Sequence, residues 1–383
     1  MIAVRAAQIL TPLTSIEPGI LIIDRGVIQD VLPDLGQPLP GMEVVDASGQ
    51  ILAPGMIDVH THGIGGVQTI DGRMEDFSTL SENYARHGVT GFLATIGGSR
   101  EAIEAGITAA LQCSVRGAEL LGIHLEGPFI NPERKGAFPV ETIVPPDLPL
   151  LIHYVEKAQG FIRLVTLAPE MENALDLVRF ARQAGIVVSA GHTQATFEQM
   201  MAAVEAGVSH VTHTYNAMAP LNHREPGVLG AALTDDRLTV ELIADGIHVH
   251  PAAVRLLLRS KPADRVVVIS DSIGAAGLPD GAYQFEELEI FVAGNSARLA
   301  DGTLAGSITS LERELLNMMS FGGLTLGEAL RMTAKNQADE LGLGQRKGML
   351  AAGMDADVIC LDRRDLSLQW TMARGRMILP HRD

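Results

Sequence analysis

Short apolar runs alternate with amphipathic stretches through the central part of the chain, which predicts strands followed by helices. The segments that fit the strand pattern are 56–60, 89–95, 119–126, 161–168, 186–192, 209–214, 238–245 and 265–271. The fourth and sixth of them show the weakest pattern. Eight repeats of strand and helix predict an α/β protein with a (β/α)8 TIM-like barrel, whose active site lies at the carboxyl ends of the strands. A doubly wound open sheet is the alternative that this pattern leaves open.

One of the connecting helices is well signalled. Thr196 and Gln199 form a capping-box pattern before the run FEQMMAAVEA. Gly207 follows at the position that a helix-terminating glycine takes. We therefore predict a helix between Thr196 and Gly207.

The two ends of the chain differ from the centre, because their β-like runs are separated by turns and not by helical stretches. Residues 1–52 contain IAVRAAQIL and GILIIDRGVIQDVLP, and residues 346–383 contain GMDADVICLD and LQWTMARGRMIL. We predict that these two segments pair into a small β-sandwich domain. It would pack beside a barrel domain formed by residues 53–345.

The composition narrows the class of protein. Of 383 residues 46% are hydrophobic, and 40 glycines and 19 prolines are typical of a compact, turn-rich fold. The net charge of −17 argues against nucleic acid or an anionic membrane as a partner. No apolar run approaches the roughly 18 residues of a membrane span, and the N-terminus lacks a signal-peptide pattern. Cys113 and Cys360 lie far apart, so we expect no disulfide framework, no cysteine metal site and a cytoplasmic location.

The sequence DVHTH at 58–62 closes the first predicted strand. His60 and His62 are two residues apart in an extended chain, so their side chains point to the same face. Two imidazoles on one face suit a zinc or iron ion. A pair of structural loop histidines is the alternative.

Other ionisable residues close further predicted strands. Glu126 ends the third, His192 the fifth, His213 the sixth and Asp271 the eighth. In a closed barrel these strand ends converge on one mouth. A single strand-terminal histidine is more often structural than a ligand, but five strand ends that carry His, Glu or Asp favour a metal site.

Longer motifs extend this interpretation over nearly the whole barrel. They are PGMIDVHTHG (54–63), HLEGPFINPERKGA (124–137), AGHTQAT (190–196), THTYNAMAPLNHREPGVLGA (212–231), ADGIHVHP (244–251), SDSIGAAGLPDG (270–281) and DGTLAGS (301–307). In these motifs and their order the chain resembles the N-acetylglucosamine-6-phosphate deacetylases of the amidohydrolase superfamily. The termini also resemble the β-sandwich of that family. The motif H-x-H alone would indicate only an amidohydrolase.

The resemblance implies a divalent metal, zinc, iron, manganese or a similar ion, with one or two ions per subunit. It places the core metal on the side chains of Glu126, His192 and His213. The pair His60 and His62 would hold a second metal, which some members of the family lack. His124 shares a strand face with Glu126, and we expect it to orient that carboxylate.

The resemblance also implies hydrolysis of an acetamide to an amine and acetate. Asp271 would be the general base that takes a proton from water and returns it to the departing amine. His248, in ADGIHV, would polarise the acetyl carbonyl. The sequence contains no G-x-S-x-G elbow, and the mechanism needs no covalent intermediate.

The resemblance also implies that a different set of residues binds the amino sugar phosphate. Arg224 matches the family's phosphate-binding arginine, and a guanidinium can contact phosphate through two hydrogen bonds. Asn216 and Ala217 match positions that contact the same phosphate. The family also implies a homodimer, in which Arg224 reaches the site of the neighbouring subunit. A solvated loop charge is the alternative for Arg224.

One position departs from the family pattern. Phe138 follows KGA where the family carries a histidine that contacts the sugar. A phenylalanine forms no such hydrogen bond, although its face could stack on a pyranose ring. Either His223 or Arg134 takes over, or the preferred sugar differs.

Three further alternatives follow for the function. One is deacetylation of the galactosamine epimer, and another is hydrolysis of a different N-acyl compound on the same scaffold. The third is a non-catalytic binding protein on an amidohydrolase-like barrel. We expect three other histidines, His210, His250 and His153, to be structural or to lie on the surface.

Overall fold

The structure is a computed structural model and describes residues 1–285 and 288–380. The strands are β1 Ile2–Leu10, β2 Ser15–Ile16, β3 Gly19–Asp24, β4 Val27–Pro33, β5 Glu43–Pro54, β6 Met56–Asp58, β7 Gly63–Ile64, β8 Val67–Gln68, β9 Val89–Ile96, β10 Glu119–Glu126, β11 Ile162–Leu167, β12 Val187–Ala190, β13 His210–Val211, β14 Thr239–Leu242, β15 Val266–Val268, β16 Gly281–Phe285, β17 Leu288–Ala293, β18 Ser296–Arg298, β19 Val358–Asp362, β20 Leu368–Ala373 and β21 Arg376–Ile378.

The α-helices lie mainly between the strands of the central region. They are α1 Met74–Arg86, α2 Arg100–Gln112, α3 Leu148–Lys157, α4 Ala174–Gln183, α5 Phe197–Ala206, α6 Gly227–Thr234, α7 Pro251–Ser260, α8 Leu311–Gly322, α9 Leu326–Leu330 and α10 Asn336–Glu340. Short 3-10 turns cover Pro132–Arg134, Val140–Thr142 and Ala263–Arg265, and a π-helical turn at Arg331–Lys335 joins α9 to α10. Within the described ranges, no helix is long and apolar enough to cross a membrane.

The central strands form one parallel sheet in the order β6, β9, β10, β11, β12, β13, β14, β15. All eight predicted strand segments are therefore present, and the weakly predicted sixth one is only two residues long, His210–Val211. The backbone N–H of Asp271 donates to the carbonyl of His60 (2.9 Å), and Ser270 Oγ donates to Asp58 Oδ2 (2.6 Å). These bonds join the first strand to the last. The predicted barrel is confirmed, and the open sheet is not formed.

The barrel strands are almost continuously apolar because both of their faces are covered. Every residue of β9, for example, is buried. A parallel sheet with helices outside and packed side chains inside leaves no face for water. The predicted helix α5 has both capping-box hydrogen bonds, between Thr196 and Gln199, and it ends at Gly207, whose φ is +135°.

The two terminal segments form a separate sheet in the order β21, β20, β19, β5, β1, β3, β4, with β2 on the edge of β1. Its own apolar core includes Leu21, Leu52 and Trp370. The sheet curls back on itself, since the N–H of Ile28 donates to the carbonyl of Met354 at 2.8 Å. The predicted pairing of the N- and C-terminal segments is therefore confirmed.

A small antiparallel sheet of β16, β17 and β18 follows the last barrel strand. Its inner face packs on the segment after β15, where Ile290 and Val292 share a buried cluster with Ile273. This sheet lies at the carboxyl ends of the barrel strands and forms one wall of the cavity there.

Candidate metal centre and active site

The carboxyl ends of the barrel strands carry a cluster of imidazole and carboxylate side chains. Backbone conformation at three of these ends is unusual, because His192, His213 and Asp271 have φ values of +48°, +28° and +48°. Residues other than glycine rarely adopt this region, and it costs about 1–3 kcal/mol where they do. These backbone conformations therefore lower the stability of the fold, and they direct the three side chains into the mouth of the barrel.

Glu126, His192 and His213 form a compact triangle. Glu126 Oε1 lies 3.1 Å from His192 Nε2 and 3.3 Å from His213 Nε2, and the two Nε2 atoms are 3.0 Å apart. His192 Nδ1 is 2.8 Å from the carbonyl of Arg134, which only accepts, so Nδ1 carries the hydrogen. In the neutral ring this leaves the lone pair of Nε2 facing Glu126 and His213, as metal coordination requires.

His60 and His62 lie on the other side of Glu126. His62 Nε2 is 3.1 Å from Glu126 Oε2 and 3.5 Å from Asp271 Oδ1. His60 Nε2 is 3.4 Å from Asp271 Oδ1 and, although buried, has no hydrogen-bond partner within the described ranges. Glu126 thus lies between two neighbouring groups of ligand atoms, one with His192 and His213 and one with His60, His62 and Asp271. Its Oε1 lies beside His192, His213 and His60, the last at 3.5 Å, and its Oε2 lies beside His62.

The charges of the cluster also fit a cation. Burial lowers the pKa of His60, but the carboxylates of Glu126, Glu241 and Asp271 raise it well above its ordinary value. Burial also lowers the pKa of His62, but the carboxylates of Asp271 and Glu126 raise it, to about 9. Burial raises the pKa of Glu126, whereas the surrounding imidazoles hold it well below the ordinary value. This excess of negative potential can be neutralised by protons or by a divalent cation, and imidazole with carboxylate suits zinc, iron or manganese.

Two further predicted residues face the same cavity. Asp271 contributes Oδ1 beside His60 and His62, as described above, and its carboxylate is slightly exposed there. His248 is held by Asp245, whose Oδ2 is 2.7 Å from His248 Nδ1 and whose Oδ1 accepts the backbone N–H of His248 at 2.8 Å. A carboxylate accepts, so Nδ1 carries a hydrogen and Nε2 is left to meet a ligand.

The cavity has a volume of about 780 Å³. The predicted metal and catalytic residues that line it are Glu126, His192, His213, His62, Asp271 and His248, whereas His60 lies behind them. Asn216 and Ala217 line it as well, on the side of β13. Arg224 does not line it and is exposed on the loop 220–225. In a single chain, the structure therefore brings together the predicted metal, catalytic and amide residues, but not the predicted arginine.

Phe138 lines the cavity next to the metal-ligand candidates. Its ring meets that of His192 edge-on, with centroids 5.3 Å apart and an interplanar angle of 73°. It also lies against Gly97, where a Cβ would come within 2.7 Å of the phenyl ring. Neither His223 nor Arg134 is among the residues that line the cavity, so neither takes the place of the family's histidine within one chain.

Comparison with known proteins gives this cavity a family context. The sequence model of the amidohydrolase family matches residues 51–378. The chain belongs to the amidohydrolase family. The match spans the barrel and the terminal sheet strands that follow it.

Relatives of this amidohydrolase include two kinds of deacetylase. It is 39% identical to the N-acetylglucosamine-6-phosphate deacetylase of Bacillus subtilis, over 98% of this chain and 96% of that protein. It is 38% identical to the N-acetylgalactosamine-6-phosphate deacetylase of Escherichia coli O157:H7, over 97% and 98% of the two chains. The solved N-acetyl-D-glucosamine-6-phosphate deacetylase of Mycobacterium smegmatis superposes with a TM-score of 0.92 at 32% identity, over 99% and 100% of the two chains. The resemblance that the sequence motifs indicated is confirmed.

The sequence analysis missed one carboxylate, that of Glu241, which lies deeper in the barrel of this amidohydrolase and contacts two of the metal-ligand candidates. Glu241 Oε2 lies 2.8 Å from His60 Nδ1 and accepts the backbone N–H of His213 at 2.9 Å. Its Oε1 is 3.1 Å from Nε2 of His210, whose Nδ1 is 2.7 Å from Glu340 Oε1. His210, predicted to be structural or on the surface, is thus buried in a chain of carboxylates and imidazoles. The available signal was one acidic residue inside the apolar strand β14.

His124 also lies below the metal-ligand candidates. Its Nε2 is 2.8 Å from Thr166 Oγ1, its Nδ1 is 3.4 Å from Thr95 Oγ1, and its ring packs edge-on against His60 at 4.5 Å. The sequence predicted that His124 orients Glu126. In the structure these hydroxyl and ring contacts orient His124 toward His60 instead.

Proposed function

We propose that this amidohydrolase hydrolyses the acetamide of N-acetyl-D-glucosamine 6-phosphate to glucosamine 6-phosphate and acetate. The observation that carries the proposal is the meeting of Glu126, His192, His213 and Asp271 in one cavity. This arrangement occurs in a chain that matches a deacetylase of that specificity over 98% of its length. Retention of a complete set of ligands and a base argues against a decayed, non-catalytic binding protein.

The metal would be held in the two groups of ligand atoms that share Glu126. We assign the core ion to Glu126, His192 and His213, and a second ion to His60 and His62. A divalent ion there would supply Lewis acidity and lower the pKa of bound water to about 7. The ligand atoms suit zinc, iron or manganese, with one or two ions per subunit.

Asp271 is the proposed general base and acid. Its carboxylate would take a proton from the attacking water while the new C–O bond forms at the acetyl carbon. It would then return this proton to the sugar nitrogen as the C–N bond breaks, which is needed because an unprotonated amide nitrogen is a poor leaving group. Acetate and the free amine are the products.

His248 is the proposed carbonyl-polarising residue. The carboxylate of Asp245 at 2.7 Å accepts a hydrogen from Nδ1 and fixes the orientation of the ring, and a hydrogen on Nε2 can then be donated to the carbonyl oxygen. A donor that is fixed in place before the reaction stabilises the negative charge that develops on that oxygen. Asp245 therefore fixes the direction of this donor.

The phosphate would lie on the β13 side of the cavity, against Asn216 and Ala217. We assign the balancing cation to Arg224 of a second subunit in a homodimer. Support comes from its loop, which is exposed in the single chain and also carries Leu221 with 49% of its surface accessible. An arginine and a leucine on one exposed loop suit a site at which another subunit supplies the missing charge.

N-acetyl-D-galactosamine 6-phosphate is the second candidate substrate. It is favoured by the 38% identity to a deacetylase of that epimer, nearly the same as the 39% to the glucosamine enzyme. Phe138 stands in place of the family's sugar-binding histidine and cannot form its hydrogen bond to the sugar. It therefore does not select between the two epimers through that contact.

A substrate screen with metal analysis on the same preparation tests the proposal. The two epimeric sugar phosphates and their unphosphorylated forms would be compared by kcat/KM. We expect the glucosamine epimer with phosphate to be turned over best, and Arg224→Ala to remove the preference for phosphate. Fast turnover of unphosphorylated substrates would refute the phosphate assignment. Metal-loaded protein that turns over none of them would favour the binding-protein alternative.

A further inference from the structure

The cavity has an apolar wall opposite the proposed phosphate position. In the closed barrel the sixth strand, β13, faces the second strand, β9, across the mouth. Asn216 and Ala217 follow β13. The segments after β6 and β9 are on the far side, and the segment after β15, two strands from β13, extends the wall with the small sheet. The apolar side chains that these segments bring to the cavity are Ile70, Ala102, Phe285, Leu288, Ile290 and Leu304, and the polar ones are Gln68, Ser99, Arg298 and Thr303.

Two glycines, one near the end of β9 and one in the segment after β15, allow this wall to pack tightly. A Cβ on Gly98, whose φ is +91°, would lie 2.9 Å from Ile70. A Cβ on Gly274 would lie 2.5 Å from the ring of Phe285. The wall is therefore a built surface in which side chains contact backbone directly, and the small sheet of β16–β18 contributes its inner face.

The shape of the proposed substrate relates this wall to the acyl group. In a hexosamine 6-phosphate, the amide on C2 and the phosphate on C6 project from opposite sides of the ring. With the phosphate beside Asn216 and the amide carbonyl beside Glu126 and Asp271, the acyl chain continues away from β13. It then points toward the segments after β6, β9 and β15.

We infer that the apolar wall is an acyl subsite that accepts N-acyl groups longer than acetyl, such as propionyl and butyryl. The inference rests on the proposed function and extends its substrate class to N-acyl-hexosamine 6-phosphates. One methyl group cannot cover six apolar side chains, and a volume of about 780 Å³ leaves room for a longer chain. Each additional methylene that becomes buried is expected to lower KM by up to about fourfold. The value of kcat should change little, because the chain contacts the wall equally in the ground state and the transition state.

The test compares N-acetyl-, N-propionyl- and N-butyryl-glucosamine 6-phosphate with the metal-loaded full chain. We expect KM to fall with chain length and kcat to stay within about tenfold, as for uniform binding. Ala102→Phe fills the wall and should lower kcat/KM for the butyryl substrate at least tenfold more than for the acetyl substrate. Ile70→Ala enlarges the wall and should shift the ratio in the opposite direction. Ala184→Phe, on an exposed position at the end of α4, is the matched control and should leave the ratio unchanged.

If the acetyl substrate is turned over, the proposed function stands, and three results would then overturn the inference of an acyl subsite. One is a loss of more than 100-fold in kcat/KM from acetyl to butyryl. Another is an equal effect of Ala102→Phe on all three substrates. The third is rejection of butyryl together with tight binding of a 1-O-butyl glycoside, which would place C1 of the sugar against the wall. Absence of turnover with the acetyl substrate as well would remove both proposals.

Discussion

Glu241→Gln is expected to weaken metal binding by about 30- to 150-fold with little effect on the fold. The variant keeps the volume of a side chain that is fully buried and removes only its charge. Its amide oxygen can take the place of Oε2 and accept from His60 Nδ1 and the N–H of His213. The amide nitrogen would then face His210 Nε2, and His210 can accept that hydrogen by releasing the proton on Nε2 and keeping the one on Nδ1, beside Glu340.

The magnitude follows from the two hydrogen bonds to Oε2, at 2.8 and 2.9 Å. A hydrogen bond to a charged group contributes about 1.5–3 kcal/mol and a neutral one about 0.5–1.5 kcal/mol, so each bond loses about 1–1.5 kcal/mol. Two such losses make about 2–3 kcal/mol, which corresponds to about 30- to 150-fold in affinity. Removal of a group that orients a metal-ligating histidine has effects of about 10- to 100-fold in general.

Metal retention in graded chelator buffers measures this effect. The number of ions per subunit would be determined by mass spectrometry for the wild type, for Glu241→Gln and for Glu198→Gln. Glu198 lies exposed in the first turn of α5, so its variant controls for the loss of one carboxylate. Thermal unfolding of the metal-free proteins would show that the fold is intact. If the retention curves of Glu241→Gln and Glu198→Gln coincide, then Glu241 does not hold the metal ligands as argued.

Four further predictions concern the same cavity and its surroundings. Asp271→Asn should keep its metal content and lose about 10²- to 10⁴-fold in kcat, the usual contribution of a general acid–base group, and wild-type turnover would remove Asp271 as the base. His60→Ala should lose one ion per subunit in elemental analysis and retain the ion assigned to Glu126, His192 and His213; an unchanged metal content would show that His60 binds none. Apparent zinc affinity should rise as pH increases toward 9, since the proton that His62 holds with a pKa of about 9 must leave before the metal binds, and calorimetry in two buffers should detect its release. Glu314→Gln should raise Tm at pH 8 more than at pH 4.5. Burial raises the pKa of Glu314 well above its ordinary value, so the folded chain keeps a proton that the unfolded chain loses as pH rises. The wild type therefore loses stability at this residue over that interval, whereas the variant has no proton there to lose.

The barrel could be predicted from the sequence because its strands are buried on both faces. A run such as VTGFLAT is apolar throughout for that reason, and β9 occupies it with every residue buried. The ligand candidates could be predicted as well, because a parallel barrel places all strand ends at one mouth. Glu126, His192 and Asp271 needed no knowledge of distances, only the order of strands and the residue that closes each one.

The supporting residues could not be predicted by the same reasoning, because they lie one layer deeper in the barrel. Glu241 is inside β14, and His60, its partner, is 181 residues earlier in the sequence. Their contact depends on closure of the sheet and on which side chains of each strand point inward, and neither is visible in a single apolar run. A carboxylate inside such a strand is costly to bury unless it is paired. An acidic residue in an apolar barrel strand therefore indicates a buried cation or imidazole on a neighbouring strand, and the deeper residues of this site could have been sought on that ground.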